Sequence, residues 1–305
     1  MLKGDMQTRG HDGAPATHAH VAAVPTNRRR PRRCLVDVQH LTAPQMLGAD
    51  ETLGVLTLNL AHGRGNRLIQ RLVRRGRAEL QLLRVSALLR WHQPYVVALQ
   101  EADGKAIWSG RFNHVDFLAR QAGYASYTQM HHVQRLGLAY GTALLARGEL
   151  GDGRGGTFKP TPPTFRKGWV SAILPWPAAP DGAARVVSLH LDFLRARNRL
   201  AQLRELIVEL SPERLPLIIM GDFNSTPRRE PGMDELMTEL KLHTYEQDDT
   251  THTHPASRRR IDWILVSSHL RFVRHIVLPD VLSDHLPVLA ELAPATGVAA
   301  GTPSQ

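Results

Sequence analysis

Short apolar runs, several of them ending on a polar residue, recur along this chain of 305 residues. The runs at 54–60, 95–101, 137–146, 185–191, 215–222, 261–266 and 287–292 are rich in Val, Leu and Ile and have the length of strands. Several are apolar at consecutive rather than alternate positions, which predicts strands covered on both faces. Between them, apolar residues return at three- and four-residue spacing over about 67–90, 113–122, 195–210 and 232–240, which predicts helices. Many strands with fewer helices predict a layered α/β sandwich with its helices on the outside. The Gly-rich segment G-D-G-R-G-G (151–156) lacks the spacing of a phosphate loop and is expected to be a flexible loop.

The polar strand ends carry the chemistry. Asn59 closes the first run, Glu101 the second, His190 and Asp192 flank the end of the fourth, and Asp222 with Asn224 ends P-L-I-I-M-G-D-F-N. A buried polar group costs roughly 1–3 kcal/mol unless it is paired, so one such end is readily a turn or cap residue. Four such ends, followed by Asp262 and the triplet Ser283-Asp284-His285, suggest convergence on one rim. In an extended strand, positions two apart share a face, so Asp222 and Asn224 can point into one site while Phe223 packs away. His190 and Asp192 would be paired the same way if their strand continued. A set of carboxylates, carboxamides and imidazoles without thiolates suits a hard cation such as Mg²⁺ or Mn²⁺, with Glu101 as leading ligand. Such a set fits phosphoester hydrolysis, in which water is aimed in line and charge on the phosphoryl oxygens is neutralised.

Composition narrows the setting. The single cysteine, Cys34, excludes an intramolecular disulfide, a Cys-rich zinc site and a thiol redox pair. No apolar run approaches the ~20 residues of a membrane span, and the N-terminus lacks a signal core, so the expectation is a soluble, cytoplasmic chain. Lys and Arg number 38 against 28 acidic residues, which favours an anionic partner: nucleic acid, phospholipid or a phosphorylated small molecule. Residues 1–52, which include R-R-R-P-R-R at Arg28–Arg33, lack a hydrophobic period and are expected to be disordered, as is the tail from 294 to 305. One domain over 53–293 remains, expected to be a monomer. Residues 64–90 hold eight arginines and only Glu79 as acid, and Arg67, Arg71 and Arg74 fall on one helical face that suits an anionic surface.

Taken in order, T-L-N-L, A-L-Q-E, S-L-H-L-D, G-D-F-N, R-I-D-W-I-L and L-S-D-H-L-P resemble the endonuclease/exonuclease/phosphatase superfamily. Each motif is weak alone, but six in family order from about 55 to 292 are specific. The resemblance implies a four-layered α/β sandwich of two packed, mainly antiparallel β-sheets flanked by helices. It also implies that Glu101, with Asn59 and Asp284, holds the metal, that Asp222 activates the attacking water, and that Asn224 orients it. It implies that His190 and His285 contact the phosphate and that Asp262 orients and charges His285. The third motif lacks the N-x-Y-x-P-N pattern of abasic-site endonucleases. H-L-D followed by Arg199-x-x-Gln202 looks closer to tyrosyl-DNA phosphodiesterases, sphingomyelinase-like enzymes and related bacterial hydrolases. The expected function is thus a metal-dependent phosphodiesterase, nuclease-like or phospholipid-directed. The alternative is a non-catalytic module that binds nucleic acid or anionic lipid on the same fold.

Overall fold

The computed structural model describes residues 33–49, 51–66, 72–226, 230–245 and 251–295. Among these, the strands and α-helices run in the order β1 (Arg33–Leu35), β2 (Val38–His40), β3 (Leu53–Asn59), α1 (Arg75–His92), β4 (Val96–Asp103), α2 (His114–Ala122), β5 (Ser126–Arg135), β6 (Leu138–Ala146), β7 (Gly151–Thr157), β8 (Gly168–Pro175), β9 (Ala183–His190), α3 (Ala196–Leu210), β10 (Leu217–Asp222), α4 (Pro231–Glu239), β11 (Leu242–His243), β12 (Asp262–Ser267), β13 (Leu270–Val277) and β14 (Val288–Pro294). One seven-stranded sheet has the order β1-β7-β8-β9-β10-β12-β11, and the other β13-β14-β3-β4-β6-β5-β2. Pairing is antiparallel except for β3 with β4 and β9 with β10.

The two-residue period of the strands sorts the apolar side chains into three layers of core. Val55, Val96, Ala98, Val186, Ile218, Met220, Ile264 and Val266 face inward and fill the space between the sheets. Their neighbours Leu56, Leu58, Val97 and Leu99 face outward and pack on Leu82, Val85 and Leu89 of α1 and Val115 and Leu118 of α2. On the other side, Val187, Leu189, Ile219 and Leu265 meet Leu203 and Leu206 of α3 and Met233 and Leu236 of α4. Each such Val, Leu, Ile or Met side chain contributes about 1.5–3 kcal/mol when fully buried. The helix–sheet–sheet–helix sandwich therefore follows from strands that are apolar on both faces.

Three expectations need correction. The run at 151–156 is not a loop but strand β7, paired with β1 and β8. Its glycines permit close approach: a Cβ at Gly156 would strike the Trp169 indole, and one at Gly155 would strike Val36 and Met130. Of residues 1–52, expected to be disordered, the described stretch 33–49 instead places β1 on an edge of one sheet and β2 on an edge of the other. Tyr95 donates to the Gln45 carbonyl, and the Trp176 indole donates to that of Glu51, so this segment is tied to the core. Finally, α1 starts at Arg75 rather than near 67, and Arg74 is an extended N-cap residue outside the helix; Arg67 and Arg71 of the expected arginine face lie outside the described residues, as do 1–32 and 296–305.

Candidate active site

The inward face of the sheets changes character along the strands. Val55, Val96, Ala98, Val186 and Met220 give way to Thr57, Gln100 and Ser188, which hydrogen-bond across the gap: Thr57 to Gln100, Gln100 to Ser188 at 3.1 Å, and Ser188 to the Leu99 carbonyl. One further pleat along come Asn59, His190 and Asp222, with Asp262 opposite Asp222 in the β10–β12 register and His190 opposite it in β9–β10. The polar strand ends thus meet because their strands share one register between two sheets.

Asp222 is the hub. Its Oδ2 accepts a hydrogen bond from Asn59 Nδ2 at 3.1 Å and lies 3.4 Å from His190 Nε2 and 3.9 Å from His285 Nε2. Its Oδ1 accepts from the Asn224 backbone amide at 2.9 Å. Asn224 sits in the left-handed region with φ 51°, which Asn tolerates, and its carboxamide donates to the Leu191 carbonyl. Phe223 packs into the outer core as its position in the run requires. Burial pushes the Asp222 carboxyl up to about 7, with Asp262 adding to the rise and His285 and Lys167 opposing it.

Across the cleft floor, His285 Nδ1 donates to Asp262 Oδ2 at 2.8 Å. Burial disfavours its charged form, but Asp262 and Asp222 outweigh that and lift His285 to about 10, so it is an imidazolium at neutral pH. Ser283 accepts from the His285 backbone amide and donates to Asp284 Oδ1, which fixes the loop that presents both residues. His254 packs edge-on against the His285 ring, with centroids 4.9 Å apart. His190 is held well below the usual imidazole range by burial and by Lys167, and is neutral.

Glu101 stands opposite this group. It sits at an irregularity in the β4–β6 ladder with φ 47°, a left-handed turn that breaks the strand's alternation. Its carboxylate lies 3.2 Å from His62 Nε2, 3.5 Å from Arg64 Nη1 and 3.9 Å from Lys167 Nζ. Although burial opposes ionisation, His62, Lys167 and Arg64 hold Glu101 far below the usual carboxylate range. Arg64 also pairs with Asp284, so one guanidinium joins the two carboxylates. Lys167 is buried, with Nζ 2.9 Å from His190 Nε2. His62 in turn bonds Asp103 at 2.7 Å, and the Trp108 indole donates to the same carboxylate.

All eight expected site residues therefore lie around one cleft: Asn59, Glu101, His190, Asp222, Asn224, Asp262, Asp284 and His285. Asp192 does not join them. The strand ends at His190, and Asp192 accepts instead from Thr161 at 2.9 Å, from Thr164 at 2.7 Å and from two backbone amides. Arg199 and Gln202 hold the backbone of that turn, donating to the Asp192 carbonyl and accepting from its amide. Sequence reasoning missed His62, Arg64, Lys167 and Asp103. The signal was present, since His62 and Arg64 follow the first motif and Lys167 directly precedes the apolar strand β8.

The donor chemistry fits a divalent cation. Glu101 and Asp284 already converge on a positive group, Arg64, and both offer hard oxygen ligands. A second group, Asp222, Asp262 and His285, brings one ligand atom each within 4.8 Å of one another. There His285 is engaged by Asp262, and Asp262 Oδ1 is a buried oxygen without a hydrogen-bond partner. The first group is the better cation site because its carboxylates are partly exposed, whereas all three residues of the second group are buried.

Comparisons with known proteins agree with this architecture. The sequence model described as the endonuclease/exonuclease/phosphatase family matches residues 56–285. No curated protein matches the sequence. Among solved structures, an endonuclease/exonuclease/phosphatase from Beutenbergia cavernae superposes with a TM-score of 0.64 at 20% identity, covering 82% of this chain and 73% of that one. The human Nocturnin catalytic domain with a bound sulfate anion gives 0.59 at 20%, over 85% and 98%. A mannosyl-6-phosphatase from Bacteroides thetaiotaomicron gives 0.56 at 16%, over 79% and 99%. With its motifs, its layers and the matched residues in agreement, the chain belongs to the endonuclease/exonuclease/phosphatase family.

Proposed function

We propose that the chain is a divalent-metal-dependent phosphodiesterase that cleaves a P–O bond by in-line attack of water. The observation that carries this reading is the pairing of opposites on one cleft: a buried carboxylate of raised proton affinity, Asp222, beside an imidazolium, His285, and facing an ionised carboxylate, Glu101. Environments that push neighbouring groups apart in this way assign acid and base roles.

Asp222 Oδ2 takes the proton of the attacking water, and Asn59 and the Asn224 amide hold that carboxylate in place. His285, kept charged by Asp262, donates to a non-bridging phosphoryl oxygen as negative charge grows there. Lys167 and His190 form a second donor group on the same cleft wall. Glu101 and Asp284, with Asn59 adjacent, would hold Mg²⁺ or Mn²⁺. When bound, the cation supplies Lewis-acid neutralisation of phosphoryl charge.

The test is hydrolysis of bis-p-nitrophenyl phosphate by purified protein with Mg²⁺ or Mn²⁺ and with EDTA. Turnover that requires the cation and is lost in Asp222→Ala supports the reading. Salt-sensitive binding of oligonucleotide or lipid with no turnover under any divalent ion identifies a binding module instead.

A further inference from the structure

Four segments, 104–111, 134–138, 158–167 and 191–197, border the site, and each carries an exposed apolar side chain and an exposed cation. Leu136, at the tip between β5 and β6, is 83% exposed, and Phe165, Phe193 and Leu194 are each about half exposed, with Ile107 close behind. Scattered exposed apolar residues need no explanation, but these five are joined. The Ile107 amide donates to the Gly137 carbonyl at 2.8 Å. The Trp108 ring lies 6.0 Å from that of Phe165. Thr164 bonds Asp192, which ties the Phe165 loop to the Phe193-Leu194 turn. The collar sits on the site itself: Trp108 packs on His62, which touches Glu101, and Lys167 Nζ lies 5.8 Å from the centre of the Phe193 ring.

Charge adds direction. Exposed Lys105, Arg135, Arg166 and Arg195 stand next to the apolar tips. Across residues 104–111, 134–138, 158–167 and 191–197 the one acid is Asp192, which is buried and fully engaged by hydroxyls and amides.

We infer that this collar docks the protein on a bilayer containing anionic phospholipid, so that a lipid headgroup phosphoester enters the cleft from the membrane surface. Apolar tips that enter the headgroup boundary, interleaved with cations that meet anionic lipid, are what such a surface selects. A platform for single-stranded nucleic acid would offer stacking faces at successive positions. Here three of the five tips, Ile107, Leu136 and Leu194, are aliphatic and have none. The docking stands on the collar alone, whereas the lipid substrate rests on the phosphodiesterase reading.

The experiment is co-sedimentation of the full chain, in EDTA to suppress turnover, with vesicles of phosphatidylcholine alone or with added phosphatidylglycerol. The native chain is expected to partition onto the phosphatidylglycerol vesicles, more weakly as salt rises. Leu136→Ser with Leu194→Ser should cut partitioning by more than about tenfold. Arg135→Gln with Arg166→Gln should cut it by about 25-fold, at roughly fivefold per charge. Native melting temperatures in both double variants show that these exposed changes leave the fold intact. His285→Ala should partition like the native chain, which separates docking from catalysis. Equal partitioning of the native chain and both double variants overturns the inference. So does tight binding of a single-stranded oligonucleotide that depends on Phe165 and not on the two leucines.

Discussion

Asp222→Asn should make the protein more stable at neutral pH while abolishing the proposed phosphodiesterase activity. Asp222 is 2% exposed, and burial raises its carboxyl from 3.8 to about 7. A folded-state pKa above the unfolded value means that the native state holds the proton more tightly. The ionised carboxylate therefore costs stability, beginning as pH rises past 3.8 and reaching its full value above about 7. At 1.36 kcal/mol per pH unit the full cost is about 4 kcal/mol. Asn keeps an acceptor for the Asn224 amide but turns a donor toward Asn59 Nδ2, which offsets about 1 kcal/mol. The net gain of about 3 kcal/mol at pH 8 corresponds to a rise of roughly 6 °C or more in Tm for a domain of this size. At pH 5 most of the gain should be gone, because there the native carboxyl is largely protonated. Thermal denaturation of both forms at pH 5 and pH 8 measures this. A variant less stable than native at pH 8, or a difference independent of pH, would refute the argument that burial sets the proton affinity of Asp222.

Further consequences can be checked separately. Asp262→Asn removes the partner of a buried imidazolium and should cost about 3–5 kcal/mol at pH 6. His285 is raised from 6.5 to about 10, so its stabilisation is fully present below 6.5 and lost as pH passes 10; the penalty measured by denaturation should shrink above that pH. Arg64→Gln leaves Glu101 and Asp284 without their shared guanidinium, so titration calorimetry should show Mg²⁺ binding about tenfold tighter, a change of about 1.4 kcal/mol. Lys167→Met removes a buried cation that touches Glu101 and His190, and should lower kcat about a hundredfold or more with little change in Tm.

The central strands were legible because their burial on both faces is written as unbroken Val, Leu and Ile runs; β3, β4, β9, β10, β12 and β14 appear within a few residues of their expected positions. β7 was not, because glycine reads locally as loop, whereas here it makes room for Trp169, Val36 and Met130 from other parts of the chain. β1 and β2 are three residues each, too short to show a period. The site was legible for the same reason as the sheet. A polar residue that ends a buried run must meet other polar groups, and Asn59, His190, Asp222 and Asp262 meet one another. Lys167, His62 and Arg64 were hidden by a basic composition in which another cation carries little information, and their pairing with Glu101 exists only in three dimensions. Asp192 shows the converse: next to a motif histidine, it serves the turn rather than the site.

The most direct measurement is the rate of bis-p-nitrophenyl phosphate hydrolysis with saturating Mg²⁺ by His285→Ala, with its fold verified by circular dichroism. In the proposed mechanism His285 is the charged donor to the phosphoryl oxygen, so its loss should lower kcat by about a hundredfold to a thousandfold. A folded variant that turns over as fast as the native chain would contradict the assignment of this cleft as the phosphodiesterase site.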